Sequence, residues 1–212
     1  EAKQQLAKIG EYPDMIFAPC GGGSNFGGIV FPFLADKAAG DPKAKNLRLV
    51  AVEPTSCPSL TKGVYAYDFG DATGYTPLMK MYTLGHDFMP PGIHAGGLRY
   101  HGDSPLVSQL YHEKLIEAVA VPQLATFEAG VQFARAEGII PAPESCHGIR
   151  ACIDEAMRCK QTGEKKTLLF NLTGHGHFDM ASYDRYFSGA LDDYDYPREA
   201  VERSLQHLPK VG

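Results

Sequence analysis

Apolar positions along the chain change their period several times, and each change marks an element. Ala2, Leu6 and Ile9 share one helical face among Lys and Gln, so Glu1 to Gly10 reads as a surface helix. Asp14 to Pro19 is a short apolar run suited to a buried strand, and it stops at Gly21-Gly22-Gly23-Ser24-Asn25. A largely apolar, helix-length segment follows from Phe26 to Ala39 and closes at Gly40-Asp41-Pro42, a stop signal. Leu47 to Val52 is again strand-like and ends at Glu53-Pro54. Strand, glycine loop, helix and strand make a βαβ unit. The expected fold class is therefore α/β, a parallel sheet covered by helices.

From Thr55 to Ser104 the periodicity fades. Gly, Pro, Tyr and His dominate, and the expectation is long loops with one short strand near Met79 to Tyr82. Loops of that length in a compact domain tend to carry function, and the aromatic content argues against disorder. Regular patterning returns with a strand at Leu115 to Val121, helices at Ala125 to Glu137 and Glu144 to Lys160, and a strand at Thr167 to Leu172. Thr173-Gly174-His175-Gly176-His177 follows at once, and the tail from Asp192 is acidic and then amphipathic. The whole of 1–212 reads as one domain with a long loop region at about 55–104.

Composition narrows the function. Twenty Lys plus Arg against 25 Asp plus Glu leave a net charge of −5, a poor basis for gripping nucleic acid or an anionic membrane. No apolar run approaches the roughly 18 residues of a membrane span. The five cysteines are scattered, odd in number and free of C-x-x-C pairs, as in reduced thiols of a cytoplasmic protein. The chain opens on Glu1 rather than Met, which reads as a processed or truncated product.

Three consecutive glycines leaving a strand let the backbone turn sharply and present successive N–H groups to an anion. Ser24 adds a hydroxyl, and the following helix adds its positive end. Phe26 stands where a dinucleotide fingerprint needs its third glycine, and no lysine completes a P-loop. What remains is a cradle for a single phosphate on a small cofactor, or a glycine-rich turn without a ligand. Glu144 follows Pro143 and is either a functional acid or a first-turn carboxylate serving its own helix. Thr173 is a hydrogen-bonding residue or a helix cap. His175 and His177 alternate as metal ligands do, but two ligands are too few, and a polar loop beside a phosphate is the plainer account.

Cys20-Gly21-Gly22-Gly23-Ser24-Asn25-Phe26 resembles the loop that holds the phosphate of pyridoxal 5′-phosphate (PLP) in tryptophan synthase β chains. Val52-Glu53-Pro54, Ala95-Gly96-Gly97-Leu98-Arg99-Tyr100, Glu137 through His147 and Asn171 through Asp179 extend the likeness in order along the chain. The versions at Cys57 to Gly63, His94 to Arg99 and Gly174 to Asp179 resemble the second, divergent type. The resemblance implies the C-terminal domain of a fold-type II PLP enzyme, with Gly21, Gly22, Gly23, Ser24, Asn25, Thr173 and Gly174 binding the cofactor. It sets Thr173 at the pyridine nitrogen and Glu144 near the phenolic oxygen. Arg99 stands where the common type has an aspartate. A guanidinium there suits an anionic group on the amino-acid donor, which leaves serine and O-phosphoserine both open.

The same resemblance implies PLP-dependent β-replacement, joining indole to L-serine or O-phosphoserine to give L-tryptophan, in a homodimer. The family's Schiff-base lysine lies in a His-Lys-x-Asn segment upstream of the glycine loop. Only Lys3 and Lys8 precede the loop here, and neither has that setting. The chain is thus expected to be a C-terminal half, inactive alone and completed by an untruncated parent or a separate N-terminal chain. A serine or threonine dehydratase, a cysteine synthase and a non-catalytic phosphate-binding domain are the alternatives.

Overall fold

A computed structural model describes residues 1–211. Its elements, in chain order, are α1 (Ala2–Lys8), β1 (Met15–Pro19), α2 (Ser24–Ala38), β2 (Arg48–Pro54), α3 (Ser59–Lys62), β3 (Val64–Phe69), β4 (Leu78–Thr83) and α4 (Pro105–His112). They continue with β5 (Glu117–Val121), α5 (Gln123–Glu137), α6 (Pro143–Thr162), β6 (Leu168–Phe170), α7 (Met180–Phe187) and α8 (Arg198–Leu205). Four strands form a parallel sheet in the order β5-β2-β1-β6, with Phe17 opposite both Val50 and Phe170.

The two central strands are continuous apolar runs because both of their faces are covered. Ile16 and Ala18 of β1 and Leu49 and Ala51 of β2 face one way, onto Phe26, Val30 and Phe33 of α2. Met15, Phe17, Val50 and Val52 face the other way and pack with Ala151 of α6. The alternation along each strand therefore sorts side chains between two apolar layers rather than between core and water. β6 is short and only partly buried throughout, as befits an edge. No helix among the described residues is long and apolar enough to cross a membrane.

The segment at 55–104 is more ordered than the expected loops. β3 and β4 form an antiparallel hairpin, from Val64 opposite Thr83 to Phe69 opposite Leu78. The single strand expected near Met79 to Tyr82 is the second arm of this hairpin. The first arm shows only as the alternation of Tyr65, Tyr67 and Phe69, whose rings are no more than half exposed and do not enter a core. Two buried acids hold this segment. Glu53 accepts hydrogen bonds from the Leu60 and Thr61 amides and from the Thr61 hydroxyl, pinning α3 against the end of β2. Asp68 accepts from the Thr83 hydroxyl and pairs with His86 at 2.6 Å.

The order of the sheet also dictates where a ligand belongs. β1 has β2 on one side and β6 on the other, and its two faces carry α2 and α6. In such sheets the crevice lies beyond the carboxyl ends of the strands where the winding reverses. Here that point lies between the ends of β1 and β6, where Gly21–Asn25 and Asn171–Gly174 emerge side by side.

Candidate active site

The glycine loop is set by the backbone on both sides of it. The Cys20 amide donates to Val52 O, the last tie to the sheet, and Gly27 N–H, donating to Gly23 O, begins the helical ladder of α2. Between them, the five amides from Gly21 to Asn25 have no acceptor among the described residues. Five consecutive free donors at the positive end of a 15-residue helix form an anion cradle. Each glycine has its own reason. A Cβ on Gly21 would lie 2.6 Å from Gly97 O and 2.7 Å from the Leu98 Cα. Gly22 lies against the Tyr100 ring, and Gly23 adopts φ +92°, where other residues are strained. Gly21 and Gly23 are buried, whereas Ser24 and Asn25 are exposed at the rim.

The opposite wall comes from the end of β6. The Asn171 side chain donates to Asn25 O at 3.3 Å, closing the two loops onto each other. Beyond it, Thr173 and Gly174 lie across the start of α6. Both of their amides donate to Ser145 Oγ, at 3.0 and 3.1 Å, and the Thr173 and Ser145 hydroxyls are 2.8 Å apart. Ser145 is fully buried, while Thr173 is partly open. Ser145 thus fixes the strand-to-loop turn that presents the Thr173 hydroxyl. In the sequence Ser145 stands beside Cys146 and His147, an adjacency that makes no triad, and nothing local marks it for this bracing role.

Glu144 occupies the first turn of α6, and Glu144 Oε1 accepts the Gly97 amide at 2.9 Å. Gly97 thereby touches both the glycine loop and Glu144, so the segment His94–Tyr100 bridges the two walls. Arg99 is turned back onto its own segment. Its Nη2 donates to Pro90 O at 2.7 Å, and its Nε is buried without a protein partner. The guanidinium expected to meet an anionic donor group is thus engaged, through Nη2, by the backbone nine residues before it. His94 donates its amide to Gln123, and its ring meets Ser182 at 2.9 Å. Burial holds the His94 imidazole below its usual range, with Arg185 adding to the effect. Asp179 is pushed up by burial and by the neighbouring Glu144 charge. His175 and His177 are exposed, their ring centres 5.0 Å apart. The one three-ligand cluster among the described residues, Glu155, Cys159 and Glu164, lies toward the other end of α6 and is bridged by Arg158 and Lys166.

A cleft of about 550 Å³ opens beside Ser24 and Asn25, between α1 and α2, with Asn171 and Leu172 on its far side. Lys3 lines it too, but its ammonium is engaged by Asp36 at 2.6 Å and by Pro32 O. The donor set fits a phosphate-bearing cofactor: a run of free amides for the phosphate and a neutral hydroxyl, Thr173, held at the opposite wall.

Comparison with known proteins agrees with that chemistry. The sequence profile of the family described as "Pyridoxal-phosphate dependent enzyme" matches residues 1–174. The tryptophan synthase beta chain 2 of Aquifex aeolicus is 62% identical over 193 residues, which are 91% of this chain and 44% of that protein. Its counterpart in Methanosarcina acetivorans is 64% identical over 191 residues, 90% of this chain and 42% of that one. The chain therefore spans less than half the length of these relatives. Among solved structures, a threonine deaminase of T.th. superimposes with a TM-score of 0.58 at 19% identity, covering 83% of this chain and 48% of that one. A fungal L-serine ammonia-lyase from Rhizomucor miehei gives 0.60 at 15% identity, over 89% and 54%. At such identity these two establish the shared fold. With most of its length matched, and with a parallel sheet that ends in a run of free backbone amides, this chain belongs to the family of pyridoxal-phosphate dependent enzymes.

Proposed function

We propose that this chain supplies the phosphate cup and the covering segment of a tryptophan-synthase-β-type lyase. The reaction is a β-replacement that joins indole to L-serine or O-phosphoserine. Bound PLP supplies the electron sink for α-proton loss and β-elimination. The run of unpartnered amides at Gly21–Asn25 carries the reading. Identity above 60% to two tryptophan synthase beta chains 2 directs it to this reaction.

Each residue then has a task. Gly21, Gly22, Gly23, Ser24 and Asn25 bind the phosphate. Thr173, braced by Ser145, would offer its hydroxyl to the cofactor's ring nitrogen, and Gly174 would keep that wall free of side chains. A neutral partner leaves the nitrogen largely unprotonated, which favours elimination and replacement over transamination. Glu144, at the head of α6, would lie near the cofactor's phenolic oxygen, and it holds the covering segment through Gly97. Arg99 lies on the covering segment with its Nε unpaired, and a guanidinium there suits an anionic group of either amino-acid donor. The lysine that anchors the cofactor covalently comes from a segment outside this sequence, in the parent or a separate chain. A homodimer in the cytoplasm completes the reading.

The test is an absorption titration of the purified chain with PLP, followed by borohydride reduction and peptide mapping. The expected outcome is saturable binding that inorganic phosphate displaces, with no lysine of this chain modified in stoichiometric amount. A stoichiometric adduct on Lys3 would show that the chain carries its own anchor. Absence of PLP binding by folded protein would remove the cup.

A further inference from the structure

Behind the glycine loop sits a group that the proposed reaction does not use. Asp103 is 2% exposed, and its carboxylate has two donors: the Ser104 amide at 2.7 Å and the Cys20 thiol at 2.9 Å. A Cβ on Gly23 would lie 2.4 Å from Asp103 Oδ1, so the carboxylate abuts the loop directly. None of the loop amides donates to it, so they are directed elsewhere. Among the described residues no Lys, Arg or His pairs with it.

A buried carboxylate without a cation is costly in its charged form. The other groups around it do not relieve that cost. Cys20, at the end of β1, gives a weak S–H donor. Glu53, at the end of β2, is a second buried acid of the same sign. β4 offers only Tyr82 O, which accepts the Asp103 amide. The favourable fields at this place are the N-terminal ends of α4, whose Ser104 amide Asp103 already accepts, and of α2, and the latter is the end an incoming phosphate would use.

We propose that Asp103 and Cys20 form a proton-accepting brace beneath the glycine loop, so that a dianion settles on Gly21–Asn25 together with a proton on the Asp103 carboxylate. This inference rests on the phosphate-cup reading and adds to it a linkage between anion and proton. Burial pushes the Asp103 carboxyl up to about 7 against the pull of its two hydrogen bonds. The carboxyl therefore changes its charge around neutrality, and an anion one backbone layer away draws the proton on. The sign follows from linkage: anion binding takes up protons, and affinity falls as pH rises through neutrality. The anion binds while the ionised fraction of the carboxylate takes a proton from solvent, no bond being made or broken elsewhere.

Sulfate is the probe, because its charge does not change between pH 6 and 8. Calorimetric titration of the apoprotein in two buffers of different ionisation enthalpy counts the protons taken up, and PLP displacement identifies sulfate bound at the loop. The expected result is a net uptake of protons at pH 7, at most about one per anion, and a several-fold weaker affinity at pH 8 than at pH 6. Asp103→Asn should abolish the uptake and flatten the profile. Cys20→Ser, with a stronger donor, should move the midpoint down, and Cys20→Ala should move it up. Those opposite shifts carry the test even where Asp103→Asn fails to fold. Unchanged uptake in Asp103→Asn, or a midpoint indifferent to both Cys20 variants, overturns the inference while leaving the cup intact. Folded protein that binds neither sulfate nor PLP overturns the cup and this inference together.

Discussion

Between Met15 and Pro54 the contacts that fix the backbone are apolar and sheet-like. Between Thr55 and Ser104 they are polar and made by side chains. In the first region, β1 and β2 pair over Met15–Pro19 and Arg48–Val52, and two layers of aliphatic and aromatic side chains cover them. In the second, Glu53, Asp68, Asp71 and Asp103 each gather backbone amides or hydroxyls, and the hairpin's rings stack on its surface. The cradle thus stands on a rigid floor, whereas its cover hangs from buried carboxylates. Shape governs the first region and protonation state the second, and substitutions can separate them.

The largest expected effect is on the floor. In Gly21→Ala the new methyl would meet Gly97 O and the Leu98 Cα, and neither backbone atom can swing aside. Overpacking of this kind costs about 1–3 kcal/mol. PLP affinity should fall by roughly two orders of magnitude, because the amides would no longer converge. Gly28→Ala is the control. Its Cβ meets nothing within 4 Å on the exposed side of α2, so helix propensity should stabilise it by about 0.5–1 kcal/mol. Urea unfolding and PLP titration of both variants would show whether position, rather than glycine content, sets the cup.

Ser145→Ala comes next. It leaves the Thr173 and Gly174 amides without their shared acceptor in a buried place, at a cost of about 1–3 kcal/mol. PLP affinity should fall less than in Gly21→Ala, because the phosphate donors are untouched. A loss equal to that of Gly21→Ala would mean that the β6 wall, not the glycine loop, carries the cofactor.

These two sites differ in how far the sequence discloses them. The floor is legible because a buried parallel strand, a run of glycines and a helix each have their own local pattern. The hairpin's second arm, the amphipathic helices and the placing of Glu144 in a first helical turn are equally local. Ser145 and Asp103 are not. Ser145 matters because β6 delivers Thr173 and Gly174 to it from 28 residues away, and Asp103 because its segment folds back onto Cys20 across 83 residues. A serine or aspartate in a polar stretch carries no mark of such a partner. Arg99 shows the reverse case: the sequence shows its charge, while its contact with Pro90 O depends on how the covering segment curls.

The pH dependence of stability offers a sharper division. Burial lowers His147 on α6 to about 4, its Nδ1–H donating to Pro143 O. Burial raises Asp103 and Glu53 to about 7. Between pH 4.5 and 6.5 the unfolded chain protonates His147 while the folded one does not, so that residue makes stability rise with pH. The two acids are protonated in the fold and ionised in the unfolded chain over the same interval, so their contributions fall as pH rises. Each proton is worth at most about 1.4 kcal/mol per pH unit. His147→Asn should therefore tilt the stability curve downward with rising pH, and Asp103→Asn should tilt it upward by a similar amount. Chemical denaturation at pH 4.5, 5.5 and 6.5 measures both slopes, and equal signs would contradict this assignment of protons.

The smallest effect is expected at the far end of the cover, where the hairpin turns. Asp71 accepts from the Thr73 hydroxyl, the Tyr75 and Thr76 amides and the Thr76 hydroxyl, closing the turn between β3 and β4. Those donors hold its carboxyl well below the ordinary carboxylate range. A lowered acid stabilises the fold above its unfolded value, and that contribution is lost as pH falls below about 4. Asp71→Ala should make the same loss permanent, but only locally, since the turn is exposed and lies outside every apolar cluster. Amide exchange at Gly70, Tyr75 and Thr76 should accelerate, while global unfolding and PLP affinity stay as they were. If PLP affinity fell as well, the turn would be coupled to the loop through β4, whose Tyr82 O accepts the Asp103 amide. The cover would then work as one body with the floor rather than as a separate, charge-held layer.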